Sequence, residues 1–260
     1  MTGRDRVTAS LQAAIPGIIA CACWELAAHL VPDGRFRFAS PTAVLSVAIQ
    51  DMVHLNMYRQ ICVTLSETVG GLVVGSVVGT AVGLLLWMNH AVARAFRPYI
   101  TLAGTLPVFA VAPILINLFG TGFSSKLFIV SFSTVFVAIA QAYEGALSAD
   151  SGLVLFAQAL KAPRSLIAQK IAFPSALAWV SGGIRINIGF ALIAAFLAEY
   201  IVTEESSTGL GRYIARNAGL YDMPRVLLGV LLLAAIGLGL TELFGRVLRR
   251  FNVRRQVEGA

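Results

Sequence analysis

VTLSETVGGLVVGSVVGTAVGLLLWM occupies Val63–Met88. Past Glu67 it carries no charge, and it exceeds the roughly 20 apolar residues a helix needs to cross a bilayer. Gly71, Gly75, Gly79 and Gly83 recur every fourth residue, so they fall on one slowly drifting helix face, with Gly70 beside them. That spacing predicts a surface of small residues on which a second helix can lie backbone to backbone.

The rest of the chain agrees with a bilayer as its solvent. Of 260 residues, 57% are hydrophobic and only 13% are charged. A water-soluble domain is about one quarter charged. The sequence predicts an all-α polytopic protein with six transmembrane helices in one domain spanning residues 1–260. Besides Val63–Met88, the spans are expected at Leu11–Val31, Pro98–Leu118, Leu127–Glu144, Pro174–Val202 and Pro224–Val247. Leu11–Val31 is too long for a signal-peptide core and is read as a retained helix. Pro107 and Pro113 should bend or break the third span, which lipid tolerates only where protein or a water-filled cavity satisfies the freed backbone. Ser40 followed by Pro41 marks a helix start, and the segment from there is expected at the membrane surface. Asn89–Arg97 reads as a polar turn, and Glu204–Met223 as polar and partly helical.

Charge placement sets the expected orientation. With the N-terminus inside, 12 arginines and lysines fall on inner segments and 7 on outer ones. The positive-inside rule then puts both termini in the cytoplasm. A five-span reading would break this pattern. The net charge of +7 is explained by span ends and calls for no nucleic acid.

Little in the sequence suggests chemistry on this chain. Cys21 and Cys23 point to different helix faces, and no metal-ligand cluster or nucleophile–base pair accompanies them. The phosphate loop G-x-x-x-x-G-K-[ST] is missing, so catalytic and metal residues are expected to be none and any nucleotide must be hydrolysed elsewhere. Glu25, Glu67, Arg185, Glu199 and Glu242 lie in or near spans, where a charge is expensive. Glu67 and Glu242 are expected to reach solvent from span ends, whereas Arg185 and Glu199 are the candidate intramembrane charges.

Residues 148–173 form the longest weakly hydrophobic connection, expected inside as two short helices broken near Lys161–Pro163. Such a basic amphipathic segment can insert into a cleft of a soluble partner, or lie on lipid.

From Trp24 to about Arg250 the chain resembles the inner-membrane permease subunits of bacterial ABC importers, in particular the nitrate, sulfonate and taurine branch. The resemblance is carried by WELAAHLVP and ASPTAVL, by Thr64–Leu86, and by Arg97–Val130 with F-G-x-G at Phe119–Gly122 and Ser125–Lys126. Ala172–Arg185 and Ala198–Ile214 complete it. It implies a type I importer fold and a coupling loop that docks on an ATPase. That loop usually reads E-A-A, three residues, Gly, then Pro 13 residues on. Anchored on Pro174, these positions are Leu155, Phe156, Ala157 and Lys161, so the usual Glu and Gly are both replaced. Ala162 and Arg164 complete the implied coupling set.

The implied partners are a cytoplasmic ABC ATPase dimer holding ATP and Mg, a second permease copy or close homologue, and an extracytoplasmic solute-binding protein, all at the plasma (inner) membrane. This chain itself is expected to bind no cofactor. The implied function is import of a small sulfonate-, nitrate- or taurine-like anion or a small heterocycle by alternating access. The region Pro107, Pro113, Asn117, Ser131, Ser133, Thr134 and Asn187 is the expected translocation path. The alternatives are an ion-driven secondary transporter and a non-transporting membrane assembly subunit.

Overall fold

The computed structural model describes residues 3–30, 39–53, 56–202, 204 and 207–258, with side chains from residue 15 to 248 within those ranges except residue 56. The described chain is helical: α1 (Gly3–Leu30), α2 (Pro41–Val53), α3 (Asn56–Met88), α4 (His90–Thr105), α5 (Val108–Phe119), α6 (Phe123–Leu147), α7 (Ser151–Ala159), α8 (Arg164–Ile167), α9 (Phe173–Ile201), α10 (Leu210–Gly219) and α11 (Met223–Glu258). A π-helical turn, Ala168–Ala172, joins α8 to α9.

The glycine face of α3 builds the centre. A Cβ placed at Gly71 would strike Val130, at Gly75 Thr134, at Gly79 Ala138 (2.6 Å) and at Gly83 Ala142 (2.8 Å). The offset is the same in all four pairs. The helices therefore run parallel, in one register, at backbone contact. On α6 the adjacent side meets α9 in the reverse sense: Gly145 lies against Ala176 and Trp179, Gln141 against Gly183, and Ser133 donates to Phe190 O at 3.4 Å. Ala191, Ala194, Ala195 and Ala198 are buried along α9, so small residues again set the approach. Around this trio many large apolar side chains remain exposed, including Val77, Leu85, Leu118 and Leu238. That exposure fits hydrocarbon as the surrounding solvent.

Parallel packing of α3 and α6 fixes the path of the chain between them. The chain must return along the length of α3 before α6 can begin at the same end. That return is α4 and α5, which meet at 93° and together have the length and apolarity of one span. The break falls at Leu106, extended at φ −64° and ψ 124°, before Pro107. Proline disfavours the helical conformation of the preceding residue and has no N–H to continue the ladder. The third expected span thus corresponds to a bent helix pair, and the pair starts earlier than expected. Asn89–Arg97 is not a turn: Asn89 accepts from the amides of Ala91 (3.1 Å) and Val92 (3.3 Å) and caps α4.

Among the described residues four helices are long and apolar enough to cross a membrane, and the bent pair makes five. The first expected span lies in α1, whose described apolar part, Ile15–Leu30, is shorter than that criterion. Five of the six expected spans thus correspond to four straight helices and the bent pair, and the expected first span, Leu11–Val31, lies partly outside the described residues. Ser40 begins α2 as expected, its hydroxyl accepting from Ala43 N at 3.2 Å, with Pro41 as the first helical residue. Trp24 Nε1 donates to Ala39 O at 3.1 Å and ties α1 to that start.

Gly75→Ala should destabilise the detergent-solubilised protein by about 1–3 kcal/mol in thermal unfolding, through overpacking. Gly182→Ala, where nothing lies within 4 Å of the added methyl, should lose nothing in the same assay.

Candidate functional site

Two ends of the helix trio carry polar structure. At the end bearing α10, four charged or polar side chains are buried between spans. Glu67 and Thr64 come from α3, Lys126 from the first turn of α6, and Glu199 from the last turn of α9; all are at most 4% exposed. Lys126 Nζ lies 3.3 Å from Glu67 Oε1 and donates to Thr208 O at 3.2 Å. Glu199 Oε1 accepts from the Thr64 hydroxyl at 2.7 Å, and its Oε2 accepts from Gly211 N at 2.7 Å. Thr64 Oγ1 in turn accepts from Leu210 N at 2.8 Å.

The connection before α10 is held by the same groups. Gly209 N donates to Gln60 Oε1. Gly209 has φ +133°, and a Cβ there would fall on the Glu199 carboxyl, so two separate constraints require glycine. Glu67 was expected to reach solvent from a span end. It does not: it is 1% exposed, and Lys126 supplies the countercharge. Lys126 likewise belongs to the interior and not to an outer loop.

Beside this cluster is a cavity of about 880 Å³ lined by Asp51, Gln60, Arg212, Tyr213, Arg216 and Arg225, among others. Arg225 bridges Asp51 (3.1 Å) and Asp222 (2.5 Å), joining α2 to α11. Tyr213 donates to Asp51 Oδ2 at 2.6 Å. Burial, with the Asp51 carboxylate against it, pushes the Tyr213 hydroxyl well above the usual phenol range, so it stays a donor.

The other end bears α7. Asp150 caps it, accepting from Gly152 N (2.7 Å) and Leu153 N (3.4 Å). The break expected near Lys161–Pro163 is present as a Schellman turn. Ala162 N donates to Ala157 O (3.0 Å) and Lys161 N to Gln158 O (2.9 Å). Lys161 sits at the left-handed position of this turn, with φ +56°. Leu155, Phe156 and Leu160 are each about two-thirds exposed. Arg164 Nη1 donates to Met88 O at 3.2 Å, fastening the segment to the end of α3. The π turn beyond it has Phe173 N donating to Ala168 O, five residues back. Pro174 follows, and its missing N–H leaves the ordinary ladder incomplete at that point.

A model of the family described as "Binding-protein-dependent transport system inner membrane component" matches residues 71–255. The chain belongs to that family. This permease is 28% identical over 231 residues to the riboflavin transport system permease protein of Chloroflexus aurantiacus, covering 89% of this chain and 85% of that one. It is 23% identical over 236 residues to the putative aliphatic sulfonates transport permease protein of Bacillus subtilis (strain 168), covering 91% and 84%. Its fold is similar to a chain of the MetNI methionine ABC transporter in an inward-facing conformation. That likeness has a TM-score of 0.67 at 17% identity, over 77% of this chain and 98% of that one. The protein is therefore a membrane-spanning permease subunit of an ABC importer, with the all-α type I fold.

The permease's other candidate residues differ in their exposure. Pro107, Pro113 and Asn117 are exposed on α5, and Arg185 is exposed on α9. Thr134 and Asn187 are fully buried, Thr134 against the glycine face, and they line no open surface. Ser131 and Ser133 are half-buried, with hydroxyls donating to Leu127 O (2.8 Å) and Phe190 O (3.4 Å). Ala157 turns partly inward beside its exposed neighbours Leu155 and Phe156. Glu199 was a candidate intramembrane charge, and it is buried; sequence reasoning missed its grouping with Thr64, Glu67 and Lys126, and missed Gly209. The available signal was four polar residues near the same end of three spans, Thr64 and Glu67 on one of them.

Removing Lys126 leaves buried carboxylates without their ammonium, so Lys126→Met should cost about 3–5 kcal/mol in thermal unfolding. Glu67→Gln, which removes one of the two carboxylates, should cost less. At the other end, Lys161→Gly should raise stability by about 1 kcal/mol, because glycine adopts the left-handed turn position without the penalty a side chain carries.

Proposed function

We propose that the permease forms half of a solute path and that α7 is the element through which a cytoplasmic ATPase dimer drives it. The observation that carries this reading is the segment from Ser151 to Pro174. An exposed apolar face at Leu155, Phe156 and Leu160 stands at the tip of a capped helix, clamped to α3 through Arg164. It continues through the π turn into α9 without a loop. Force applied to α7 therefore reaches both α3 and α9.

In this reading the α7 end is cytoplasmic, as are both termini, in keeping with the arginines and lysines on those segments. ATP and Mg are held by the ATPase, and a second copy or a close homologue completes the path. The polar end with α10 faces an extracytoplasmic solute-binding protein. The path uses the exposed faces of α5 and α9, including Pro107, Pro113 and Asn117. Its cargo is a small anion or a flat heterocycle, the two kinds named for the sulfonate and riboflavin relatives.

Changing Leu155 and Phe156 together to Glu should abolish co-purification of the ATPase, while membrane insertion and thermal stability stay unchanged. Undiminished association of the ATPase with this variant would remove the docking role of α7.

A further inference from the structure

Arg185 is the one charge deep in a described span that pairs with nothing described. It is 12 residues from the start of α9 and 16 from its end, about 18 and 24 Å along the axis. It is exposed and has no hydrogen bond or ion pair among the described residues. Several charges nearer the span ends have partners. Glu67 holds Lys126, Arg225 holds Asp51 and Asp222, and Glu242 lies 3.9 Å from Arg246.

The surroundings of Arg185 are open and free of acid. Gly182 and Gly189, a turn to either side, have nothing within 4 Å of where a Cβ would stand. Ile186 and Ile193 continue the same exposed face, while Asn187, Ile188 and Ala191 bury the opposite one. Between Phe173 and Ala198, α9 bears no other charge, and α5, which packs against it, bears none. On α6, Gln141 is engaged with Gly183 O, two residues before Arg185 on α9. The carboxylate of α6, Glu144, lies 3.7 Å from Arg97.

A guanidinium cannot discharge by losing its proton. At mid-bilayer it costs at least about 2.5–3.5 kcal/mol against hydrocarbon, and a helix centre some 15 Å from either interface is beyond easy snorkelling. Where that face lines the path, it meets water or an oxyanion. We infer that Arg185 is a specificity-determining residue of the translocation path and that it selects solutes bearing a carboxylate, sulfonate or similar oxyanion. A guanidinium offers such a group two parallel donors. With no carboxylate of its own to hold, it is available to each passing anion, and the lack of a second fixed cation beside it lets the anion leave. This rests on the reading that the exposed face of α9 lines the path.

The test is made in membrane vesicles containing the assembled transporter, with Cys21, Cys23 and Cys62 replaced by alanine and a reporter thiol at Gly182→Cys or Ile186→Cys. The probes are 2-sulfonatoethyl methanethiosulfonate, which is an anion, and its trimethylammonium counterpart, which is a cation. Normalised to their rates with a free thiol, the sulfonate reagent should react at least about tenfold faster than the cation, as a single-signed charge focuses its counterion. Arg185→Gln should bring that ratio to about one, and Arg185→Lys should retain most of it. ATPase co-purification with each variant shows that the complex is intact. Reaction with both reagents at a ratio that ignores Arg185→Gln would overturn the selectivity inference and leave the path reading standing. Reaction with neither reagent would mean lipid or a second copy covers this face, which overturns both.

Discussion

Lys126 and Glu67 meet 3.3 Å apart with almost no exposure to solvent, and Glu199 stands in the same enclosure. A buried ion pair is costly to make and costlier to half-remove. Its value here is positional. It draws α3, α6 and α9 to a common level at one end, and its hydrogen bonds hold the Ser207–Gly211 connection across all three. The entry of α10, and through it the Tyr213–Asp51–Arg225 contacts to α2 and α11, depends on that level being kept.

The cluster could not form at ordinary helix spacing. Side chains as short as Thr64 and Glu199 reach each other because α3, α6 and α9 approach through glycine and alanine faces. Small residues at the centre and charges at the rim thus serve one arrangement. The permissive geometry comes from residues with almost no side chain, and the specific register from residues that cannot remain unpaired. At the opposite end the connection is lighter: one arginine to a backbone carbonyl, one Schellman turn, and a π turn made by a proline.

Much of this was legible in the chain itself. Gly71, Gly75, Gly79 and Gly83 announce a contact face because periodicity is a local property. The break at Pro107 and the helix start at Ser40–Pro41 are local as well, and both stand where expected. The family pattern placed a glycine at Lys161, and the left-handed backbone there shows what that glycine would do. What could not be read depends on which helix lies beside which. Glu67 looked like a span-end charge because nothing near it in sequence announces Lys126. Thr134 and Asn187 looked like path residues because polarity is visible in a sequence and the choice of helix face is not. The stretch from His90 looked like a turn because its polar residues hide an amphipathic helix with a side-chain cap at Asn89.

The glycine face has a mechanical consequence. Its four notches and the four residues seated in them repeat every fourth position, about 6 Å along each axis. The interface therefore resembles a rack with fixed teeth. A small axial slip would drive Val130, Thr134, Ala138 and Ala142 into the backbone of α3, and only a full tooth would restore the fit. Graded sliding between α3 and α6 is thereby forbidden, and the two behave as a single stiff beam. Any opening of one side of the membrane and closing of the other must come from tilting that beam whole, with the compliance left to the 93° corner at Leu106–Pro107.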